Sequence, residues 1–166
     1  MILSFEKKFL FVKSFKAAGS SIEIALSKGL SSNSDIITPM SPSLEIERIK
    51  EGGLSPQNYA TLPSNLIEKL RLYKRFISLI YQEHHYLHPY ASLDTSTQAW
   101  MRVKQKAFPQ KYSKHMPLDG IISRIGQDTF KSLYSFTFVR HPYSKILSLW
   151  MYLNSDRDLS QLSLEQ

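Results

Sequence analysis

The sequence predicts an α/β domain built on a mostly parallel sheet flanked by helices. Three observations predict it. Short apolar runs rich in Phe, Val and Ile occur at 9–13, 75–81 and 134–140. Between and after them stand segments whose apolar residues recur at helical spacing. Near both ends of the chain, such a run passes through a short turn directly into a helix start. Strands alternating with helices are the pattern of crossover connections, which keep neighbouring strands parallel.

FLFVK, 9–13, is continuously apolar up to its lysine and too short for a helix, so it reads as a buried strand. In the next segment, Ser20 and Glu23 fit the S-x-x-E capping box, Ile22, Ala25 and Leu26 share a face, and Gly29 supplies a left-handed stop. Residues 30–43 are rich in Ser, Pro and Asn and read as a loop. Ser41-Pro42 starts a helix that runs to about Glu51 and ends at Gly52-Gly53. Pro63-Ser64 starts another, with Leu66, Ile67, Leu70 and Tyr73 on one side. RFISLIY, 75–81, reads as a second buried strand, and 83–114, which lacks a clean period, as a long loop with short helical pieces. Leu118, Ile121, Ile122 and Ile125 mark a helix between Pro117 and Gly126. YSFTFVR, 134–140, alternates as a strand, and Pro142 opens a helix whose Trp150 and Leu153 are expected in the core. The polar tail from Asn154 is expected to fray.

The 166 residues suit one domain, and 42% hydrophobic against 21% charged residues argues against general disorder. With no cysteine, disulfides, thiolate catalysis and Cys-based zinc sites are excluded. No stretch approaches the ~20 apolar residues of a membrane span, and Glu6, Lys7 and Lys8 break the N-terminal run as a signal peptide. A soluble cytoplasmic protein is the expectation. The net charge of +7 favours anionic partners. The basic residues cluster: between Asp94 and Asp119 there is no acid, but Arg102, Lys104, Lys106, Lys111 and Lys114 all occur. They form either a solvated face or a positive rim beside an anion site.

The two strand-to-helix turns carry the chemistry. At the carboxyl edge of a parallel sheet, helix N-termini present unpaired N–H groups and partial positive charge. The first turn adds Lys16, Gly19, Ser20 and Ser21, and the second adds Arg140, with Ser148 further along its helix. An anion with two separated charged groups could be held between them. The first turn is not the nucleotide loop G-x-x-x-x-G-K-[ST], because its lysine precedes its only glycine by three residues.

FVKSFKAAGSSIEIAL, followed much later by YSFTFVRHPYSKILSLW, resembles the motif pair of sulfotransferases that use 3′-phosphoadenosine 5′-phosphosulfate (PAPS), in particular carbohydrate sulfotransferases. The motifs cover about 30 residues near the two ends. The resemblance implies a three-layer fold like that of P-loop NTPases. It also implies that Lys16 contacts the sulfate-bridging oxygen and that Ala17, Ala18, Gly19, Ser20 and Ser21 hold the 5′-phosphate. Arg140 and Ser148 then hold the 3′-phosphate. Phe15 stands where many members have proline, His141 where Asp or Asn is usual, and Lys145 where Arg is usual. Lys145 keeps the charge without the planar fork. Family members continue further past the second motif, so a single domain over 1–166 is C-terminally short by comparison.

Sulfuryl transfer needs positioning and charge stabilisation on the leaving oxygen, which a lysine supplies, and it demands no metal. The acceptor hydroxyl needs a base. His115 is the first choice, since the resembled family often has a Lys-His pair at this distance before its second motif. His84, His85, His88 and Glu83 are the alternatives, and H-H-x-x-H also hints at a metal. The expected activity is sulfuryl transfer from PAPS to a hydroxyl, of a carbohydrate first. The competing readings are an ATP-dependent phosphotransferase on the same architecture, and a nucleic-acid-binding module using Trp100, Phe108 and Tyr112 among the basic residues. Nucleic acid is the weaker partner.

Overall fold

The computed structural model describes residues 1–58, 64–84, 93–108 and 110–154. The elements in chain order are β1 (Ile2–Ser4), β2 (Phe9–Phe11), α1 (Gly19–Ser27), β3 (Ile36–Ile37) and α2 (Pro42–Lys50). There follow α3 (Leu66–Gln82), α4 (Leu93–Ala107), α5 (Leu118–Ile125), α6 (Gln127–Lys131), β4 (Tyr134–Phe136) and α7 (Pro142–Leu153).

The class is α/β, but the four strands form a mixed sheet in the order β3-β1-β2-β4. β1 runs antiparallel to both β2 and β3, and only β2 and β4 are parallel. β1 and β3 were not expected. Each is only two or three residues long, and β3 lies in a segment whose Ser, Pro and Asn read as a loop. The parallel pair is the one that leads into both turns singled out above.

Side chains alternate across the strands, and both faces of the sheet are apolar. Ile2, Phe11 and Ile37 point to one face, where Ile22 and Leu26 of α1 cover them. Leu3, Leu10 and Ile36 point to the other, where Tyr112, Ile121 and Phe130 pack. Phe136 of β4 lies against Phe9, Phe11 and Phe138, with ring centres 5.5–6.0 Å apart, so aromatic contacts reinforce the short parallel ladder.

Several expectations are corrected. RFISLIY is the second half of α3, not a strand. The apolar residues Leu66, Ile67, Leu70, Tyr73, Ile77 and Tyr81 keep helical spacing throughout. The Asn65 side chain caps the start by accepting from the Ile67 N–H at 2.8 Å. Residues 93–107, read as loop, form the fifteen-residue α4. Its buried stripe consists of Ala99, Val103 and Ala107, and small residues give a weak apolar signal. The Ser20/Glu23 capping box does not form, because both side chains are engaged by Lys13. Gly29 is not left-handed; α1 ends instead through an ordinary right-handed Lys28. α2 and α5 end as expected, at Gly52 and Gly126 with φ of 78° and 84°. β4 stops at Phe136, four residues short of Arg140.

Trp150 and Leu153 are exposed, and no residue of α7 is buried. The helical period makes α7 apolar on one side, but β4 is the sheet's edge strand and no described element covers that side. Pro63, and the tail beyond Asn154, lie outside the described residues. Among the described residues, no helix is long and apolar enough to cross a membrane.

Candidate functional site

The two turns open onto one cleft because the parallel pair brings them together. Beyond the ladder, Val12 N–H donates to the Phe136 carbonyl at 3.0 Å. The Ser14 hydroxyl then donates to the Phe138 carbonyl at 2.6 Å, joining segments 124 residues apart. The resulting cleft, about 350 Å³, is lined by Lys13 to Ser21, Lys114, His115, Arg140, Ser148 and Tyr152. An adjoining lobe along α7 shares Lys16, Arg140, Ser148 and Tyr152, and adds Ser144, Leu147 and Met151. Lys16, residues 17–21, His115, Arg140 and Ser148, singled out from the sequence, therefore share one concavity. Among the described residues, no carboxylate lines it.

The first turn is shaped for an anion. Lys16 and Ala18 both have left-handed φ, 58° and 55°, with Ala17 between them on the ordinary side. Such a backbone costs on the order of 1–2 kcal/mol per non-glycine residue. It also turns successive N–H groups into a concavity. Ala18 is the N-cap of α1, and the first backbone bond back to it comes from Ile22. The N–H groups of Gly19, Ser20 and Ser21 thus precede the hydrogen-bonded part of the helix and form its partial positive end. Gly19 is required sterically: a Cβ there would sit 2.7 Å from Lys13 Cγ.

Lys13 had no assigned role in the sequence reading. Its ammonium donates to Ser20 Oγ at 3.1 Å and to Glu23 Oε2 at 2.5 Å. Glu23 is fully buried one turn into α1, where it also meets the Met1 α-amino group and Thr38. Burial, more than Glu23 can offset, lowers the Met1 amine from 8.0 to about 6.

Across the cleft, Asn58 holds the segment that carries His115. Its side chain accepts from Tyr112 N–H at 2.8 Å and donates back to the Tyr112 carbonyl at 2.5 Å. With Tyr112 and Met116 anchored in the core, His115 is left at the rim. Its Nδ1 donates to the Lys13 carbonyl at 3.1 Å, and its ring meets Phe15 edge-on. The donated proton fixes the neutral tautomer whose lone pair is on Nε2. Lost hydration lowers the His115 pKa, against the opposing effect of the Lys13 carbonyl, and the charges of Lys13 and Lys114 lower it further.

α7 supplies the third wall. Ser144, Ser148 and Tyr152 recur every four residues and so form one stripe. The Lys16 ammonium lies 3.9 Å from the centre of the Tyr152 ring, a cation–π contact. Tyr152 was also missed, although its place one turn beyond Ser148 was a legible signal.

Of the other candidate bases, Glu83 and His84 do not line the cleft. Glu83 is gripped at Oε2 by Arg102, at 2.8 and 2.9 Å, which lowers its pKa and makes it a poor proton acceptor. His84 bonds the Tyr81 carbonyl through Nδ1 and stacks on the Tyr81 ring. His85 and His88 lie outside the described residues. Of the basic run, Arg102 and Lys106 face Glu83, and Lys114 alone lines the cleft. Tyr112 is buried, while Trp100 and Phe108 pack on Phe76. Among the described residues, no three His, Cys, Asp or Glu side chains come together as a metal site. Compared with protein families, curated proteins and solved structures, the chain finds no match.

Proposed function

We propose that this chain is a sulfotransferase domain that takes the sulfuryl group from PAPS to a hydroxyl, of a carbohydrate first, on a sheet core related to P-loop folds. The shared cleft carries this reading. It brings together a cationic turn that follows β2 and, from the chain after β4, Arg140 and Ser148, with a neutral histidine at the rim. The two-sided apolar covering of the sheet supports the fold relation.

In this reading the 17–21 turn binds the 5′-phosphate through backbone N–H groups and hydroxyls, and Arg140 with Ser148 binds the 3′-phosphate. His115 Nε2 takes the proton of the acceptor hydroxyl as that oxygen bonds to sulfur. The bond from sulfur to the 5′-phosphate oxygen breaks, and the Lys16 ammonium stabilises the charge left on that oxygen. Lys16, Lys114 and Arg140 around the cleft favour an acceptor that is itself anionic.

A thermal-shift comparison tests this against the other two readings. Metal-free 3′,5′-adenosine bisphosphate at about 100 times its Kd should stabilise the fold by about 2.7 kcal/mol, roughly 5–10 °C for a chain of this size. Equal or greater stabilisation by ATP with Mg²⁺ would point to phosphotransfer instead. A dominant response to short single-stranded DNA would point to nucleic-acid binding.

A further inference from the structure

The anion turn has a buried carboxylate directly behind it. Ser20 lines the cleft, Glu23 follows one helical turn later, and a single ammonium, that of Lys13, bonds both. Glu23 is fully buried, so water does not screen it. An unbalanced negative charge in this position would repel any anion that approaches the turn.

We infer that Lys13 is a positioning residue of the anion turn: it cancels the Glu23 carboxylate behind Ser20, leaving the turn's N–H groups to face a ligand phosphate without an opposing charge. The inference rests on the anion-site reading above. The geometry ties Lys13 to the turn in two further ways. Its aliphatic stem lies over Gly19 in the space a Cβ would fill, so the loop and the lysine fit only together. Its carbonyl accepts the His115 Nδ1 proton, so the same residue sets the tautomer at the rim. The Met1 amine also reaches Glu23, but burial lowers its pKa to about 6, so of the two amines that bond Glu23, Lys13 is the one charged at pH 8.

The two charges can be removed singly and together. Lys13→Met keeps the stem over Gly19 and deletes the charge, and Glu23→Gln keeps the shape and deletes the carboxylate. Inorganic pyrophosphate is titrated calorimetrically at pH 8 into the wild type, Lys13→Met, Glu23→Gln and the double variant, with circular dichroism melts on each. Lys13→Met should weaken pyrophosphate about tenfold, since an uncompensated buried charge acts through a low effective dielectric. The double variant should return to within about threefold of the wild type, because the charge behind the turn is again zero. Should Lys13→Met fail to fold, Glu23→Gln alone decides, and it should bind pyrophosphate more tightly than the wild type. A double variant that folds but stays as weak as Lys13→Met, or a Lys13→Met protein that binds normally, overturns the inference. A wild type that binds pyrophosphate but not 3′,5′-adenosine bisphosphate sinks the sulfotransferase reading and leaves the role of Lys13 standing. A wild type that binds neither sinks both.

Discussion

Replacing Gly19 by alanine sets two physical effects against each other at the centre of the site. Gly19 is the first residue of α1, and alanine in place of glycine inside a helix favours folding by up to about 1 kcal/mol, less at an end. Against this, the new Cβ would lie 2.7, 3.0 and 3.3 Å from Lys13 Cγ, Cε and Cδ, closer than carbon atoms pack. The Lys13 stem has little freedom to yield. Its far end is held by Ser20 and Glu23, and its near end by the Val12 bond to β4. Overpacking of this kind typically costs about 1–3 kcal/mol. The steric effect should win, leaving Gly19→Ala less stable by roughly 0.5–2 kcal/mol, a fall of about 1–8 °C in Tm at this chain length. Gly29→Ala is the control, since its Cβ would meet only the Leu26 carbonyl at 3.8 Å and its backbone is not left-handed. It should be neutral or slightly stabilising. Urea unfolding of both variants reads the difference. A Gly19→Ala protein more stable than the wild type would refute the reasoning, because helix propensity would then have outweighed the clash with Lys13.

Other expectations bear on the chemistry. Lys16→Ala should lower kcat for sulfuryl transfer by about 10²–10³-fold, the usual effect of losing one donor to a developing oxyanion. Arg140→Ala should mainly raise the Kd for 3′,5′-adenosine bisphosphate, by about tenfold given the residue's exposure, with steady-state kinetics separating the two variants. For His115, only the neutral ring accepts a proton, and its folded pKa lies below 6.5. Transfer should therefore rise with pH through a midpoint below 6.5 and be flat above neutrality, and His115→Gln should abolish that limb. The same lowered pKa means that the folded form disfavours the proton. Its stability contribution is full above 6.5 and is lost as pH falls through the folded value, which acid titration of wild type against His115→Gln would show.

Local chemistry made several features legible in the amino-acid order. Pro42 and Gly52 bracket α2, Pro117 and Gly126 bracket α5, and a strand runs into a helix at each of the two motif turns. These are short-range effects: a fixed φ, a missing N–H, a residue free to turn left-handed. The turn residues 16–21, and Arg140 with Ser148, stood out for the same reason, since residue type and spacing along one helix or loop carry that information. Where a segment's identity depended on what lay against it, the order misled. RFISLIY is equally apolar as strand or helix, and it joined α3 because its neighbours continue the same face. Trp150 and Leu153 had a core residue's spacing, yet among the described residues no element covers that face of α7. Only the folded chain decided that Ser14 meets Phe138, that His115 turns its Nδ1 to Lys13, and that Lys13 leaves the capping box unmade by binding both of its members. These contacts join residues up to 124 positions apart, and no local propensity encodes which distant side chain arrives. Packing of the sheet's two faces sets that meeting, and with it the charge balance at the site.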